Sequence, residues 1–383
     1  MTYALLQKRT IDPVLVCTIL ALIGLGTIMV SSASVAIAEE SGLGPMYYLM
    51  QHLAAISIGT LGLLVAVNLP IAWWHRLSTV FLFGAFLLLI LVLLPGLGST
   101  TNGARRWVDI GPIGFQPSEV ARLMLLVYLA SYCVRQHRSL SMHLGGFLRP
   151  MLLISLAAVL LVAEPDFGAT VVMVASSLGI LFLAGARLRD LALAGTLAGA
   201  ALAGLIWVAP YRLDRVLTWL NPWEDAFDSG YQLVNSFIAI GSGTWFGLGL
   251  GQGVQKLHYL PEPHTDFIFA VLAEEAGLIG ATLCIALFAI LVFKAFDLSR
   301  RATAAELPFH ALLAAGIGIS LGLQAGISMG VNTGLLPTKG LTLPLISYGR
   351  TSVVVTLAAL GLLLRISREL GEPTYLRAAR AAA

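Results

Sequence analysis

The sequence predicts an all-α polytopic integral membrane protein of about ten transmembrane helices, with both termini cytoplasmic. Three observations lead there. Of 383 residues, 58% are hydrophobic and only 11% charged, and the mean hydropathy is +0.87, far from what soluble chains show. Apolar runs long enough to cross about 30 Å of hydrocarbon as helices recur along the whole chain. Lysines and arginines fall between these runs in the phase that an inside N-terminus requires.

The runs cover residues 13–33, 48–69, 77–95, 117–134, 148–163, 168–185, 190–208, 266–294, 308–330 and 350–366. The first follows Lys8 and Arg9 and precedes Ala36, Ile37 and Ala38, which together imitate a signal peptide. Its apolar stretch, Val14 to Val30, exceeds a typical signal core and nine more runs follow, so an uncleaved anchor is expected. The cytoplasmic set is Lys8, Arg9, Arg76, Arg135, Arg138, Arg149, Arg187, Arg189, Lys294, Arg300, Arg301, Arg365, Arg368, Arg377 and Arg380, which is 15 of 23 cations. The other eight, Arg105, Arg106, Arg122, Arg212, Arg215, Lys256, Lys339 and Arg350, oppose that topology and need another explanation. The formal charge of +3 is set mainly by the anchors, and no basic run points to nucleic acid. Cys17, Cys133 and Cys284 are odd in number and all fall in apolar runs, as buried small hydrophobes do, without a disulfide or metal pattern.

Neither repeat nor low-complexity tract divides the chain, so residues 1–383 read as a single membrane domain. Its outer loops are 96–116, 209–265 and 331–349. The first holds Gly, Pro and Trp as a structured surface loop would. In the second, residues 231–240 fit a short amphipathic or re-entrant helix, and the glycines from Gly241 to Gly253 indicate tight backbone.

Four constellations carry ionisable groups where lipid disfavours them. In QPSEVAR, Glu119 and Arg122 share a helix face at i and i+3, either as a neutralising pair or as walls of an outer polar cavity. In AEPDFGA, Glu164 and Asp166 sit at an outer turn, where solvated carboxylates cost little and serve structure. In YLPEPHTDFIFAVLAEEAG, Glu274 and Glu275 point to different helix faces, so at least one needs a structural partner. Asp266, beside His264 and Glu262, fits a general base, a helix cap or one member of a metal trio. In NTGLLPTKGLTLPLISYGRTS, Lys339 and Arg350 stand on kinked backbone and suit an anionic head group. Outer cations and carboxylates together point to an anion with a lipid tail.

These segments resemble the SEDS family of shape, elongation, division and sporulation proteins, over Asp12 to about Arg365. Its markers are NGARRW with QPSE, EPDFGAT, GYQ, LPEPHTDFIFAVLAEE and LPTKGLTLPLISYG, and TKGLTLP with YLPEPHTDFIF is most similar to the division members. The resemblance implies the SEDS fold and a peptidoglycan glycosyltransferase of the inner membrane, which polymerises lipid II on the periplasmic face with undecaprenyl pyrophosphate leaving. It implies Asp266 as the catalytic carboxylate. It also implies Arg105, Arg106, Arg212, Arg215, Lys256 and above all Lys339 as a pool from which two or three bind pyrophosphate, with Glu119, Arg122, His264, Glu262 and Arg350 expected to shape the substrate site. Glu274, Glu275, Glu164 and Asp166 are left as supports. No protein metal site is expected, although a divalent cation bridging the pyrophosphate is compatible with the chemistry. Implied partners are membrane lipid, a class B penicillin-binding transpeptidase of the FtsI type, and bitopic divisome activators of the FtsQ, FtsL, FtsB and FtsN type. The chain departs from the family pattern at Arg122, where Lys is expected, at Ser242 with Gly243, and at SYGRTS with Arg350. A lipid II flippase, an elongation-type polymerase and a non-catalytic scaffold are the rival readings.

Overall fold

The computed structural model describes residues 11–101, 104–110 and 113–371. The helices are α1 (Pro13–Glu40), α2 (Tyr47–Asn68), α3 (Ile71–Arg76), α4 (Ser78–Leu93), α5 (Pro117–Arg135), α6 (His137–Met142), α7 (Leu144–Ala163), α8 (Phe167–Leu183), α9 (Leu188–Val208), α10 (Pro210–Leu220), α11 (Tyr231–Ser242), α12 (Ile268–Ala304), α13 (Pro308–Asn332) and α14 (Arg350–Leu370). Between α4 and α5 lie three strands, β1 (Gly98–Thr101), β2 (Ala104–Ile110) and β3 (Ile113–Phe115), paired antiparallel in that order. Lys8, Arg9, Arg377 and Arg380 lie outside the described residues, as do positions 102–103 and 111–112 of the first outer loop.

Each of the ten apolar runs is a helix, so the chain is an all-α, polytopic membrane protein. By length and apolar composition α1, α2, α5, α7, α9, α12 and α13 can each cross a membrane. Helices α4 and α8 have 16 and 17 residues and reach only about 25 Å. Helix α14 carries Arg350, Arg365, Arg368 and Glu369 on an otherwise apolar run. The signal-like triplet Ala36 to Ala38 is part of the continuous helix α1, which packs on α12.

Small residues let the central helices close up where lipid supplies no hydrophobic drive. A Cβ at Gly361 of α14 would stand 2.6 Å from the Leu63 carbonyl oxygen of α2, and one at Gly59 of α2 would stand 2.6 Å from Leu357. Helix α14 is therefore wrapped by its neighbours and buries even Arg365, whose Nε donates to Glu369 Oε1 at 2.6 Å and whose Nη1 donates to the Val67 oxygen at 3.2 Å.

Helix α12 is broken at Gly277, where φ is +67°. The carbonyls freed by the break would be costly in lipid without partners. The glycine-rich loop supplies them: Leu248 N donates to Glu274 O at 3.0 Å and Gly249 N to Glu275 O at 3.1 Å, while Leu278 N donates back to Thr244 O at 2.9 Å. Such contact requires bare backbone, since a Cβ at Gly243 would fall 1.9 Å from Ala273 O. Ser242 takes the preceding position without strain, its hydroxyl donating to Ala239 O at 2.9 Å.

Both buried glutamates are consumed here. Glu274 accepts from Val254 N at 2.9 Å and Gln255 N at 3.2 Å, and Glu275 from Lys256 Nζ at 2.6 Å, Ser32 Oγ at 2.7 Å and Gly251 N at 3.0 Å. Gly277→Ala forces a Cβ to within 2.4 Å of Gly247 N at a positive φ. The expected cost is about 2 kcal/mol or more, measured as a fall of several degrees in the thermal unfolding midpoint of detergent-solubilised protein.

Candidate active site

Asp266 occupies the short segment between Pro263 and the start of α12, and the backbone there is bonded residue by residue. Tyr348 N donates to His264 O at 2.8 Å, Ser347 Oγ to Thr265 O at 2.6 Å and Asn332 Nδ2 to Asp266 O at 2.9 Å. The same Asn332 side chain accepts from Ala270 N in the first turn of α12 at 3.0 Å. Asp266 does not cap that helix, whose N-cap is Phe267 with no side-chain bond. Its carboxylate lies against Gly340, where a Cβ would stand 2.9 Å from Oδ2.

Gly340 is also a wall of a cavity of about 450 Å³, lined by Arg106, Asp166, Phe167, Arg212, Arg215 and Lys339 among others. Four cations thus converge on one concave surface from β2, α10 and the 333–349 loop. Two of them are held by backbone oxygens: Arg106 donates to the carbonyls of Glu164 (3.4 Å) and Pro165, and Arg212 donates to Leu205 O at 2.9 Å. The Phe167 ring lies between two of them, with Arg212 Cζ 3.9 Å and Lys339 Nζ 5.1 Å from its centroid, a cation–π arrangement. Asp166 anchors the far wall by capping α8, accepting from Ala169 N at 3.1 Å and from Gln116 Nε2 at 3.2 Å.

The field follows from this geometry. Burial first, then the carboxylate of Glu262, pushes Asp266 up to about 7, while Arg106 and Arg215 pull against the rise. A carboxylate with that affinity is matched to accepting a proton near neutral pH. Burial lowers the Lys339 pKa, and Arg215, Arg212 and Arg106 lower it further, because the four cations repel one another.

The remaining expected residues separate from this centre. Arg105 precedes Arg106 on a strand, where successive side chains point to opposite faces, and its Nη1 donates outward to Leu93 O at 3.4 Å. Lys256 is buried in its bond to Glu275 and lines a different groove, about 650 Å³, beside Ser32 and Leu250. Glu119 and Arg122 form a buried pair at 2.7 Å, and Arg122 also donates to Gln324 of α13 at 2.6 Å, so they tie helices and do not line the cavity. Arg350 is not among the residues lining this cavity, and its Nη1 donates to Gln51 at 3.5 Å. Glu262 is exposed and accepts from Thr265 Oγ1 at 2.8 Å, whereas His264 is buried among tyrosines. Among the described residues no three His, Cys, Asp or Glu side chains gather as a metal site would need, Glu262, His264 and Asp266 included.

Glu164 and Asp166, expected to be solvated at their turn, are buried instead. The Glu164 carboxyl has no hydrogen-bond partner among the described residues, and burial, then Asp166, raises it to about 8 against Arg106. Asn332, Ser347, Phe167 and Gly340 build the site although none carries a charge that would flag it; an Asn closing an apolar run was the one available signal for Asn332.

Comparison with known proteins gives a consistent picture. The family model FTSW_RODA_SPOVE, described as cell cycle protein, matches residues 13–372. A probable peptidoglycan glycosyltransferase FtsW of Thioalkalivibrio sulfidiphilus is 50% identical over 372 residues, 97% of this chain and 93% of that protein. Among solved structures, a chain of a peptidoglycan synthase complex, described for its coordination of polymerization and crosslinking, superposes with TM-score 0.75 at 31% identity, covering 93% of this chain and 97% of that one. The rod shape determining protein RodA of Thermus thermophilus superposes with TM-score 0.68 at 29% identity, covering 94% and 97%.

Because Arg215 lowers the Asp266 pKa from an exposed position, Arg215→Gln is expected to raise it further above 7 without unfolding the protein. Infrared titration of the carboxyl band, assigned by its loss in Asp266→Asn, reads the shift. A lower pKa in Arg215→Gln contradicts the assignment of the field.

Proposed function

The chain belongs to this FtsW/RodA/SpoVE family of cell cycle proteins, and on that premise we propose that it is a peptidoglycan glycosyltransferase polymerising lipid II on the outer face of the inner membrane at the division site. The observation that carries the proposal is one carboxylate poised near neutrality against a cavity of four cations. The relatives named FtsW support a division role over an elongation role.

Asp266 Oδ takes the proton of the GlcNAc 4-hydroxyl on the acceptor as that oxygen attacks the anomeric carbon of the donor MurNAc. The new β-1,4 bond forms with inversion while the bond from that carbon to the pyrophosphate oxygen breaks, its electron pair leaving with undecaprenyl pyrophosphate. Arg106, Arg212, Arg215 and Lys339 receive the departing charge, the arginines as forks and the lysine as a point charge. Groups already aimed at charge before it develops stabilise a transition state without reorganising. A divalent cation would supply further positive charge to the pyrophosphate beside these four side chains. The peptidoglycan synthase complex with a similar chain supports a partner that cross-links the strand, a class B transpeptidase.

Purified protein with its cognate transpeptidase is expected to convert labelled lipid II to a glycan ladder, and Asp266→Asn to lose at least about 100-fold in rate. No ladder from wild type, together with lipid II crossing sealed vesicles, would replace the polymerase with a flippase. Since the base must be ionised, kcat/KM should fall as pH drops through about 7. A profile flat from pH 5 to 8 in a polymerising enzyme excludes Asp266 as the base.

A further inference from the structure

Two residues before Asp266, His264 joins an aromatic cluster that the reaction above leaves unused. Tyr47 and Tyr48 open α2, with ring centroids 5.4 Å apart. Tyr48 meets Tyr348 edge-on at 5.1 Å and His264 at 4.9 Å, and His264 meets Tyr348 at 5.5 Å. Tyr47 is 42% exposed and Tyr48 and Tyr348 are partly exposed, so ring surface reaches the outer face. At the rim, Gln51 and Arg350 add hydrogen-bonding groups, joined at 3.5 Å.

Two features separate this cluster from tyrosines that merely anchor a helix at the membrane boundary. It is bonded directly to the catalytic segment, through Tyr348 N to His264 O, two residues before Asp266. It also contains a polar atom without a partner: His264 Nδ1 is buried and unpaired among the described residues, on a side chain only 6% exposed. Such an atom costs free energy unless a ligand or water meets it.

We infer that Tyr47, Tyr48 and Tyr348, with His264 behind them, form a binding platform for the N-acetylhexosamine of the incoming acceptor. The inference rests on the glycosyltransferase reading. Pyranose rings present faces of C–H bonds with partial positive charge, which suit the negative faces of aromatic rings. The place of the sugar follows from the base. Asp266 must reach the acceptor hydroxyl, and the cluster joins its segment at His264, two residues away, while the four cations beside Gly340 are left to the leaving pyrophosphate. The acceptor sugar therefore belongs at the rings around His264.

Two measurements on the full chain in detergent test this, one of them independent of catalysis. Saturation-transfer NMR with tetra-N-acetylchitotetraose should show contact with wild type that is lost in Tyr48→Leu. In lipid II polymerisation, Tyr48→Leu is expected to raise KM about tenfold with kcat within twofold, and Tyr48→Phe, which keeps the ring face, to recover most of that loss. Tyr47→Leu, at an exposed position, gives a smaller rise of about threefold without risk to folding. Trp223→Leu, an exposed aromatic outside the cluster, should leave KM unchanged. Undiminished saturation transfer and an unchanged KM in Tyr48→Leu and Tyr47→Leu overturn the platform. Shorter strands at unchanged KM overturn the acceptor assignment, since the rings then hold the growing strand. A wild type that binds chitotetraose through these tyrosines but makes no polymer sinks the proposed reaction and leaves the sugar site standing.

Discussion

One buried amide governs where Asp266 stands. Asn332 ends α13, and its side chain donates to Asp266 O and Ser328 O while accepting from Ala270 N; its own carbonyl accepts from Ser236 Oγ at 2.7 Å. Three helices and the Asp266 segment thus share a single residue with no exposed surface. At the edge of a lipid-embedded bundle, water does not replace these bonds, and each orphaned backbone group costs about 1–3 kcal/mol. The Asp266 backbone is fixed as a consequence, with the 343–348 loop bracing the residues before it.

A fixed carboxylate is only half of the site. Burial and then the three arginines at the cavity depress the Lys339 pKa, and a binding surface in open water gains little from such crowding. An anion entering the cavity would relieve that repulsion. The fold maintains the charge before the ligand arrives by spending ordinary contacts on it: two carbonyls for Arg106, a carbonyl and a ring for Arg212, the same ring for Lys339. Asp266 feels the cations and the carboxylate of Glu262 at once, and with its burial this sets its affinity for a proton near neutrality.

Much of the architecture was legible because hydropathy reports helices directly: each apolar run became a helix, from α1 to α14. Of the eight cations that opposed the inside rule, Arg106, Arg212, Arg215 and Lys339 line one cavity and the other four lie elsewhere, and the family resemblance singled out Asp266. Pairing lay beyond the sequence. Arg105 and Arg106 look equivalent until strand alternation sends them apart, and nothing in the spacing says that Lys256 is taken by Glu275 and Ser32. Glu164 looks like a solvated turn residue because its burial depends on helices distant in the chain. The small sheet and helix α10 were missed inside loops whose glycines and prolines masked short regular elements, and α10 carries two of the four cavity cations.

The central claim is that Asp266 acts as a base, and chemical rescue tests it most directly. Asp266→Ala, purified with its transpeptidase and shown to retain its wild-type unfolding midpoint, would be assayed for lipid II polymerisation with increasing formate. If Asp266 removes the proton, formate entering the vacated space should restore polymerisation in a saturable manner, and chloride at equal ionic strength should not. A folded Asp266→Ala protein that polymerises at the wild-type rate without any added anion would contradict the account.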